Sequence, residues 1–199
     1  MLMNENIISP ELAARLADLY TRMAGAYDLV ADELAFTCEG CPDNCCDSLF
    51  LHHTLIEWAY LWQGLQELTP EALHKIKARA KRYLTEATGS MAKGERPQIM
   101  CPLNDDGLCS LYQHRLMICR MHGVPAKITR PDGQTMQFPG CFRCQELTGG
   151  REKVPEVDRT ELYQELADLE RQLVESTGRA RPRIKMTIAE MIVNGPPRL

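Results

Sequence analysis

The chain has 199 residues, with 23 Lys+Arg against 27 Asp+Glu and a net charge of −4. Hydrophobic residues make up 44% and charged residues 25%, the balance of an ordinary globular chain, which excludes disorder as the main state. The acidic excess excludes a histone-like binder of bulk polyanion.

The elements follow in chain order. Ser9 as N-cap and Pro10 at the first helical position open a helix. Leu12, Leu16, Leu19, Met23, Ala26, Val30 and Leu34 continue it at steps of three and four, one apolar stripe over about 25 residues. A cysteine-rich loop, Cys38 to Cys46, comes next, and Ser48–His52 reads as a short strand. Thr54 with Glu57 predicts a capping box for a helix through Leu68, and Thr69-Pro70 starts another that ends near Gly89. Asp105-Asp106-Gly107 predicts a tight turn between two short strands. Ser110 caps a short helix through Cys119, and Pro131-Asp132-Gly133 joins strands at 124–129 and 134–138. Residues 145–157 read as a linker. Asp158 with Glu161 caps an amphipathic helix carrying Leu162, Leu166, Leu169 and Leu173, which Gly178 stops. Thr187 with Glu190 caps a last short helix. The fold class expected is α+β and mainly helical, with terminal helices around a small irregular centre of short hairpins. One domain, 1–199, is expected, with its cysteine-cluster core at 38–144 and a helical extension at 150–199. That centre is poor in large apolar residues over 90–150, so its order is expected to depend on bound metal.

Cysteine is the outlying count: nine, an odd number that excludes complete disulfide pairing. The opening MLMNENIISP has neither the positive n-region nor the apolar h-region of a signal peptide, and no apolar run approaches the ~18 residues of a membrane span. A cytoplasmic location with reduced thiols is therefore expected, and with it no membrane partner. Thiols in that number point to metal.

The nine fall into three groups: Cys38, Cys41, Cys45 and Cys46; then Cys101, Cys109 and Cys119; then Cys141 and Cys144. A two-residue gap, as in Cys38–Cys41 and Cys141–Cys144, lets one turn of backbone aim two sulfurs at one metal. All nine are candidate ligands. Cys45 and Cys46 are neighbours, so in an extended segment their side chains face opposite ways. Together they suit a multi-iron cluster or two centres better than one zinc ion, and one of them is a candidate spare thiol. Cys101 and Cys109 are expected to lie nearly opposite across the Asp105-Asp106-Gly107 turn. A straight helix from Cys109 to Cys119 spans about 15 Å, too far for one site, so it bends or the two serve different centres. Arg115, Arg120 and Arg143 are placed to offset thiolate charge. His52, His53, His114 and His122 are possible ligands, with capping or exposed histidines as the ordinary reading. Asp43, Asn44 and Asp47 shape the loop. Ligands from all three groups are expected to converge, closing loops of roughly 55 and 25 residues.

The pattern Cys38-x2-Cys41-x3-Cys45-Cys46, Cys101-Pro102-Leu103, Cys109-Ser110-Leu111-Tyr112, Arg115, Cys119-Arg120 and Cys141-x2-Cys144 resembles the YkgJ-type cysteine-cluster family of zinc- or iron-chelating proteins. The resemblance spans 38–144. One departure is Leu116, where the family has proline, which leaves the helix through Cys119 free to continue. Relatives of this cluster form part of flagellin lysine N-methylases, where it looks like an iron–sulfur site. No glycine-rich nucleotide loop follows a strand in this chain, so the resemblance implies a metal site and not a particular reaction.

The function expected is metal binding, as an iron–sulfur cluster of [4Fe–4S] type on cysteine thiolates, with a redox or protein- or RNA-modification role. The alternative is zinc in a structural or metal-handling protein. A protein partner or substrate is expected. RNA is a further candidate, through Lys75, Lys77, Arg79, Lys81 and Arg82 or through Arg179, Arg181, Arg183 and Lys185, against the ordinary reading of a solvated face and a basic tail.

Overall fold

The computed structural model describes residues 8–41, 44–178 and 183–198. Its helices are α1 (Pro10–Leu34), α2 (Leu55–Gln66), α3 (Pro70–Ala92), α4 (Met117–Met121), α5 (Phe142–Thr148), α6 (Thr160–Thr177) and α7 (Ile188–Asn194). The strands are β1 (Asn104–Asp105), β2 (Leu108–Cys109), β3 (Ala126–Thr129), β4 (Thr135–Phe138) and β5 (Val157–Asp158). The fold is mainly helical α+β, as expected. The chain divides into two compact units. The first comprises Met1–Ala13, Asp43–Leu116 and Glu170–Leu199, and the second Ala14–Pro42 and Met117–Leu169.

In the first unit the core is helical. α2 buries Ile56, Ala59, Leu61 and Leu65 completely, and α3 contributes Ile76, Ala80 and Tyr83. Trp58 and Trp62 both donate their indole N–H to the Met191 carbonyl on α7, at 3.1 and 2.9 Å. The capping box of α7 forms as its sequence predicts: Thr187 Oγ1 accepts from the Glu190 N–H, and the Glu190 carboxylate accepts from the Thr187 N–H. The predicted box on α2 does not form. Thr54 instead donates its hydroxyl to Glu57 at 2.6 Å, and the Ile56 N–H finds Glu170, a fully buried carboxylate 114 residues away, at 2.8 Å. An acid at a helix N-terminus answers both the open N–H groups and the helix dipole. The strand expected at 48–52 reduces to one antiparallel bridge, His52 to Met186. α3 runs past Gly89 to Ala92, because Gly94 rather than Gly89 takes the left-handed φ of +75° that ends it.

The first unit also holds the β1–β2 hairpin. Asp106 and Gly107 have φ of +49° and +88°, the pair of positive values that a tight two-residue hairpin turn needs. The register places Cys109 opposite Asn104, not Cys101, so Cys101 lies three residues outside the ladder. Beyond the hairpin the expected helix through Cys119 splits. A 3₁₀ turn at Tyr112–His114 ends at an extended Arg115 (φ −61°, ψ +138°), and α4 begins afresh at Met117. This break occurs where the family has its proline. Leu116, between the two pieces, is fully buried.

The second unit contains most of α1, whose Leu16, Leu19, Tyr20 and Met23 are buried. Arg22 of α1 grips Glu165 of α6 with both carboxylate oxygens at 2.6 Å. β3 pairs with β4 antiparallel in the expected second hairpin, and with β5 in parallel, in the order β4-β3-β5. β5 and α5 both fall in the stretch read as a linker or at its margins. Two dipeptide ladder contacts and a seven-residue helix are too short to leave a periodic signal.

Candidate metal centre

No disulfide links any of the nine cysteines. The division of the fold sorts them into Cys45, Cys46, Cys101 and Cys109 in the first unit, and Cys38, Cys41, Cys119, Cys141 and Cys144 in the second. Each unit draws from more than one of the three sequence groups. Cys109 and Cys119 fall in different units, and the helix expected between them is broken at Arg115.

In the first unit, Cys45–Asp47 forms a 3₁₀ turn capped by Asn44, whose side chain accepts from the Cys46 N–H at 3.1 Å. The vicinal cysteines are therefore not extended, and their side chains do not diverge. The Cys45 thiol hydrogen-bonds to Cys46 and is the main cause that lowers the Cys46 thiol to about 6; Asn104 and the charge of Arg115 lower it further, against burial and Asp47. The Nδ2 of Asn104 is buried without a partner at hydrogen-bond geometry, and the sulfur it acts on is that of Cys46. Asn104 Oδ1 is occupied by the Gly107 N–H at 3.1 Å, which fixes the amide. Two backbone bonds clamp the loop to the segment before the hairpin: Ile99 N–H to Asp47 O at 3.1 Å and Cys101 N–H to Cys46 O at 2.9 Å. The Cys101 thiol is pushed up to about 12, by desolvation first and then by the charges of Cys46 and Cys109. Thus Cys46 has its thiolate stabilised, while Cys101 keeps its proton until something more positive replaces it. Cys101 also lines a cleft of about 600 Å³ with Arg79, Tyr83, Gln98 and Asp105. Arg79 is tied down there by Asn104 O and Asp105 Oδ1, both at 2.9 Å.

In the second unit, Cys41 N–H closes one turn onto Cys38 O at 3.1 Å, the backbone form expected of a two-residue gap. Cys38 is exposed and Cys41 partly so. Cys119 sits in α4 and Cys141 caps α5, with the buried Cys144 in its first turn. The two segments are joined at glycines. The Cys141 N–H bonds to Gly123 O at 2.9 Å. A Cβ at Gly140 (φ +87°) would stand 2.5 Å from that same Gly123 oxygen, and one at Gly123 (φ +126°) would stand 2.7 Å from the Tyr27 hydroxyl. Only glycine permits both the dihedral and the approach. The Cys144 thiol is raised, by burial first and then by Cys141, with Arg151 opposing.

The cations picked out from the sequence separate. Arg115 lies over the Tyr112 ring at 3.7 Å and acts on Cys46. Arg120 lies over Tyr20 at 4.4 Å. Arg143, between Cys141 and Cys144, has its Nη1 buried without a hydrogen-bond partner. The candidate histidines are engaged otherwise. His53 meets the Ile184 carbonyl at 3.2 Å, and His52 is buried with its pKa lowered by desolvation. His114 packs on Tyr60 at 4.6 Å and fills the space over Gly64; His122 is lowered by burial and by Arg159. The basic face of α3 is largely spent: Lys75 pairs with Glu71, Arg82 with Glu86, and Lys77 lies over Trp62. Of the second basic stretch, Arg179 and Arg181 lie outside the described residues, as does Asp43 of the loop.

Among the described residues, no three His, Cys, Asp or Glu side chains stand close enough together to hold a metal ion as they are placed. The donor chemistry nevertheless fits a thiolate centre. The Cys46 sulfur has the Asn104 amide and the Arg115 guanidinium acting on it, and the Cys101 sulfur the backbone N–H groups of Leu103 and Asn104. Asn104, Gly123 and Gly140 were not singled out from the sequence. The glycines did carry a signal, in His122-Gly123-Val124-Pro125 and Pro139-Gly140-Cys141, where a turn residue adjoins proline or cysteine. Comparison with protein-family models, with curated proteins and with solved structures gives no match.

Proposed function

We propose that this chain is a metal-binding protein of the YkgJ-type cysteine-cluster kind, with an iron–sulfur cluster held on its thiolates in the cytoplasm. The observation that carries the reading is the 3₁₀ turn at Cys45–Asp47. It folds two adjacent thiols together, depresses one to about 6, and is clamped to the segment bearing Cys101. Cys45, Cys46, Cys101 and Cys109 would hold a centre in the first unit. Cys38, Cys41, Cys119, Cys141 and Cys144 supply ligands in the second. A [4Fe–4S] cluster bound there would supply one-electron transfer, in a redox or a protein- or RNA-modification role. The chain's own part is to hold ligands near deprotonation and to place N–H donors and guanidinium groups against the sulfurs.

Zinc is the second reading, and the same turn favours it. With Cys45 and Cys46 folded together, the first unit offers four thiols, the number a closed tetrahedral zinc takes. Anaerobic purification followed by analysis for iron, labile sulfide and zinc separates the two. Brown protein with iron and sulfide in equal amounts supports the cluster. Colourless protein that carries zinc and cannot be reconstituted with iron and sulfide ends it.

A further inference from the structure

A thiolate metal site needs several sulfurs brought together, but a disulfide needs only a pair. In the first unit, backbone and side chains bring one pair together. The Cys101 N–H bonds to Cys46 O at 2.9 Å. Residues joined by such a bond stand about 5.5 Å apart at Cα, inside the ~4.4–6.8 Å that a disulfide spans. Asn104 then reaches both sulfurs from one position. Its side-chain amide acts on the Cys46 sulfur, and its backbone N–H, with that of Leu103, acts on the Cys101 sulfur. The same Asn104 N–H closes a turn onto Cys101 O at 2.9 Å, and Asn104 Oδ1 is held by the Gly107 N–H at 3.1 Å.

Other pairings in this unit are less well placed. Cys45 and Cys46 are in hydrogen-bond contact, but the trans peptide between them fixes their Cα atoms about 3.8 Å apart, short of the disulfide range. The hairpin register places Cys109 opposite Asn104, not Cys101. Cys46 and Cys101 are both partly exposed, and Cys101 lines the cleft of about 600 Å³ beside Arg79 and Tyr83. A small oxidant has room to approach there.

We propose that Cys46 and Cys101 are a modification site for hydroperoxides, and that in the metal-free chain they close to a disulfide. The Cys46 sulfur attacks the peroxide, the O–O bond breaks, and Cys46 becomes a sulfenic acid as water or an alcohol leaves. The Cys101 sulfur gives up its proton and attacks that of Cys46. The S–O bond breaks, the S–S bond forms, and the departing hydroxide takes the proton as water. The two thiols together lose two electrons and two protons, and the peroxide takes them up. A metal on the first unit would occupy the same sulfurs, so metal and disulfide exclude each other. That exclusion, unlike the disulfide itself, rests on the function proposed above.

The test treats the reduced, metal-stripped full chain with one equivalent of hydrogen peroxide and blocks the remaining thiols with iodoacetamide. Mass spectrometry should find the nine thiols reduced to seven and a cross-link between Cys46 and Cys101. Cys101→Ser should abolish the link and leave a sulfenic acid on Cys46 that dimedone captures. Cys46→Ser should slow the first thiol loss at least about tenfold, and Cys45→Ser should form the same link. Circular dichroism screens the variants; if one does not fold, the cross-link in the unaltered chain decides alone. A link of Cys101 to Cys45 or Cys109, a Cys45–Cys46 bond, or oxidation confined to the second unit overturns the assignment. Zinc loading before the peroxide should protect both cysteines. A disulfide that zinc loading does not slow keeps the modification site and removes its exclusion by metal. Metal binding without any disulfide in the stripped chain removes this inference and leaves the proposed function.

Discussion

The two units present thiols by opposite means. In the first, the thiols shift one another's acidity: Cys45 lowers the Cys46 thiol, and the charges of Cys46 and Cys109 help burial to raise that of Cys101. Their support is polar and local, a 3₁₀ turn, an Asn44 cap and two backbone clamps. In the second, support comes from close backbone packing at Gly123 and Gly140. The first arrangement tunes thiol acidity, and the second fixes the relative position of two short helices. Ligand preparation therefore depends on electrostatics in one unit and on steric fit in the other, and substitutions should separate them.

The largest separation should appear in metal content. Single replacement of Cys46 or Cys101 by alanine is expected to remove the metal of the first unit and spare that of the second, and replacement of Cys119 or Cys141 the reverse. Metal stoichiometry on each purified variant checks this. If every single replacement empties the protein, the nine thiols serve one shared centre and the contrast collapses.

Next in size is Gly140→Ala. Its Cβ would be driven to 2.5 Å from a backbone oxygen at a φ of +87°. The expected loss is about 3 kcal/mol, localised to the second unit. Hydrogen exchange read by segment should show faster exchange at 117–148 and unchanged protection in α2 and α3. Equal loosening of both would mean that the units unfold as one.

Glu170→Ala tests the first unit. It strips the Ile56 N–H of its acceptor inside a fully buried site, at a cost of about 2 kcal/mol, while Glu170→Gln keeps an acceptor and should lose less. Urea denaturation of the two variants checks the order.

The smallest effect is a pH dependence to which His52 contributes in the first unit and His122 in the second. Burial lowers the pKa of His52 below its ordinary 6.5. The unfolded chain therefore takes up the proton first as pH falls, and the folded state loses stability from about pH 6.5 downward, by at most ~1.4 kcal/mol per pH unit. Above that range both states are neutral and the effect vanishes. His52→Gln should flatten this slope in thermal unfolding between pH 7 and 5; an unchanged slope assigns it to other groups.

Much of the helical frame was legible in the sequence, because its signals are local. Ser9-Pro10, Thr69-Pro70 and Thr187 with Glu190 each sit at a helix start that the structure contains. The Asp106-Gly107 turn was legible for the same reason. The failures are non-local. Glu170 displaces Thr54 as the cap of α2 from a distant helix, and the helix toward Cys119 breaks at Arg115 without a proline. The cysteines were legible as candidate ligands by number and spacing, but their grouping was not. Loop dihedrals at Cys45–Asp47 decide whether vicinal thiols meet, and a strand register decides that Asn104, not Cys101, faces Cys109.

The Glu170–Ile56 bond also sets an order of events as the chain is made. Synthesis delivers the α2 segment more than a hundred residues before the carboxylate that caps it, and later still Met186 and Met191, which receive His52 and the two tryptophans. Every ribosome-bound chain thus passes through a long interval in which α2 has emerged with its N–H groups uncapped and its Trp62 face uncovered. The segments of the second unit, at 14–42 and 117–169, are both complete before Glu170 is added. The second unit is the first whose segments are all present, and both units close on contacts of high sequence separation, Arg22–Glu165 in one and Ile56–Glu170 in the other, the slow class of folding step. Truncation just before Glu170 should therefore leave a chain that folds its five-cysteine unit and releases α2 to chaperones.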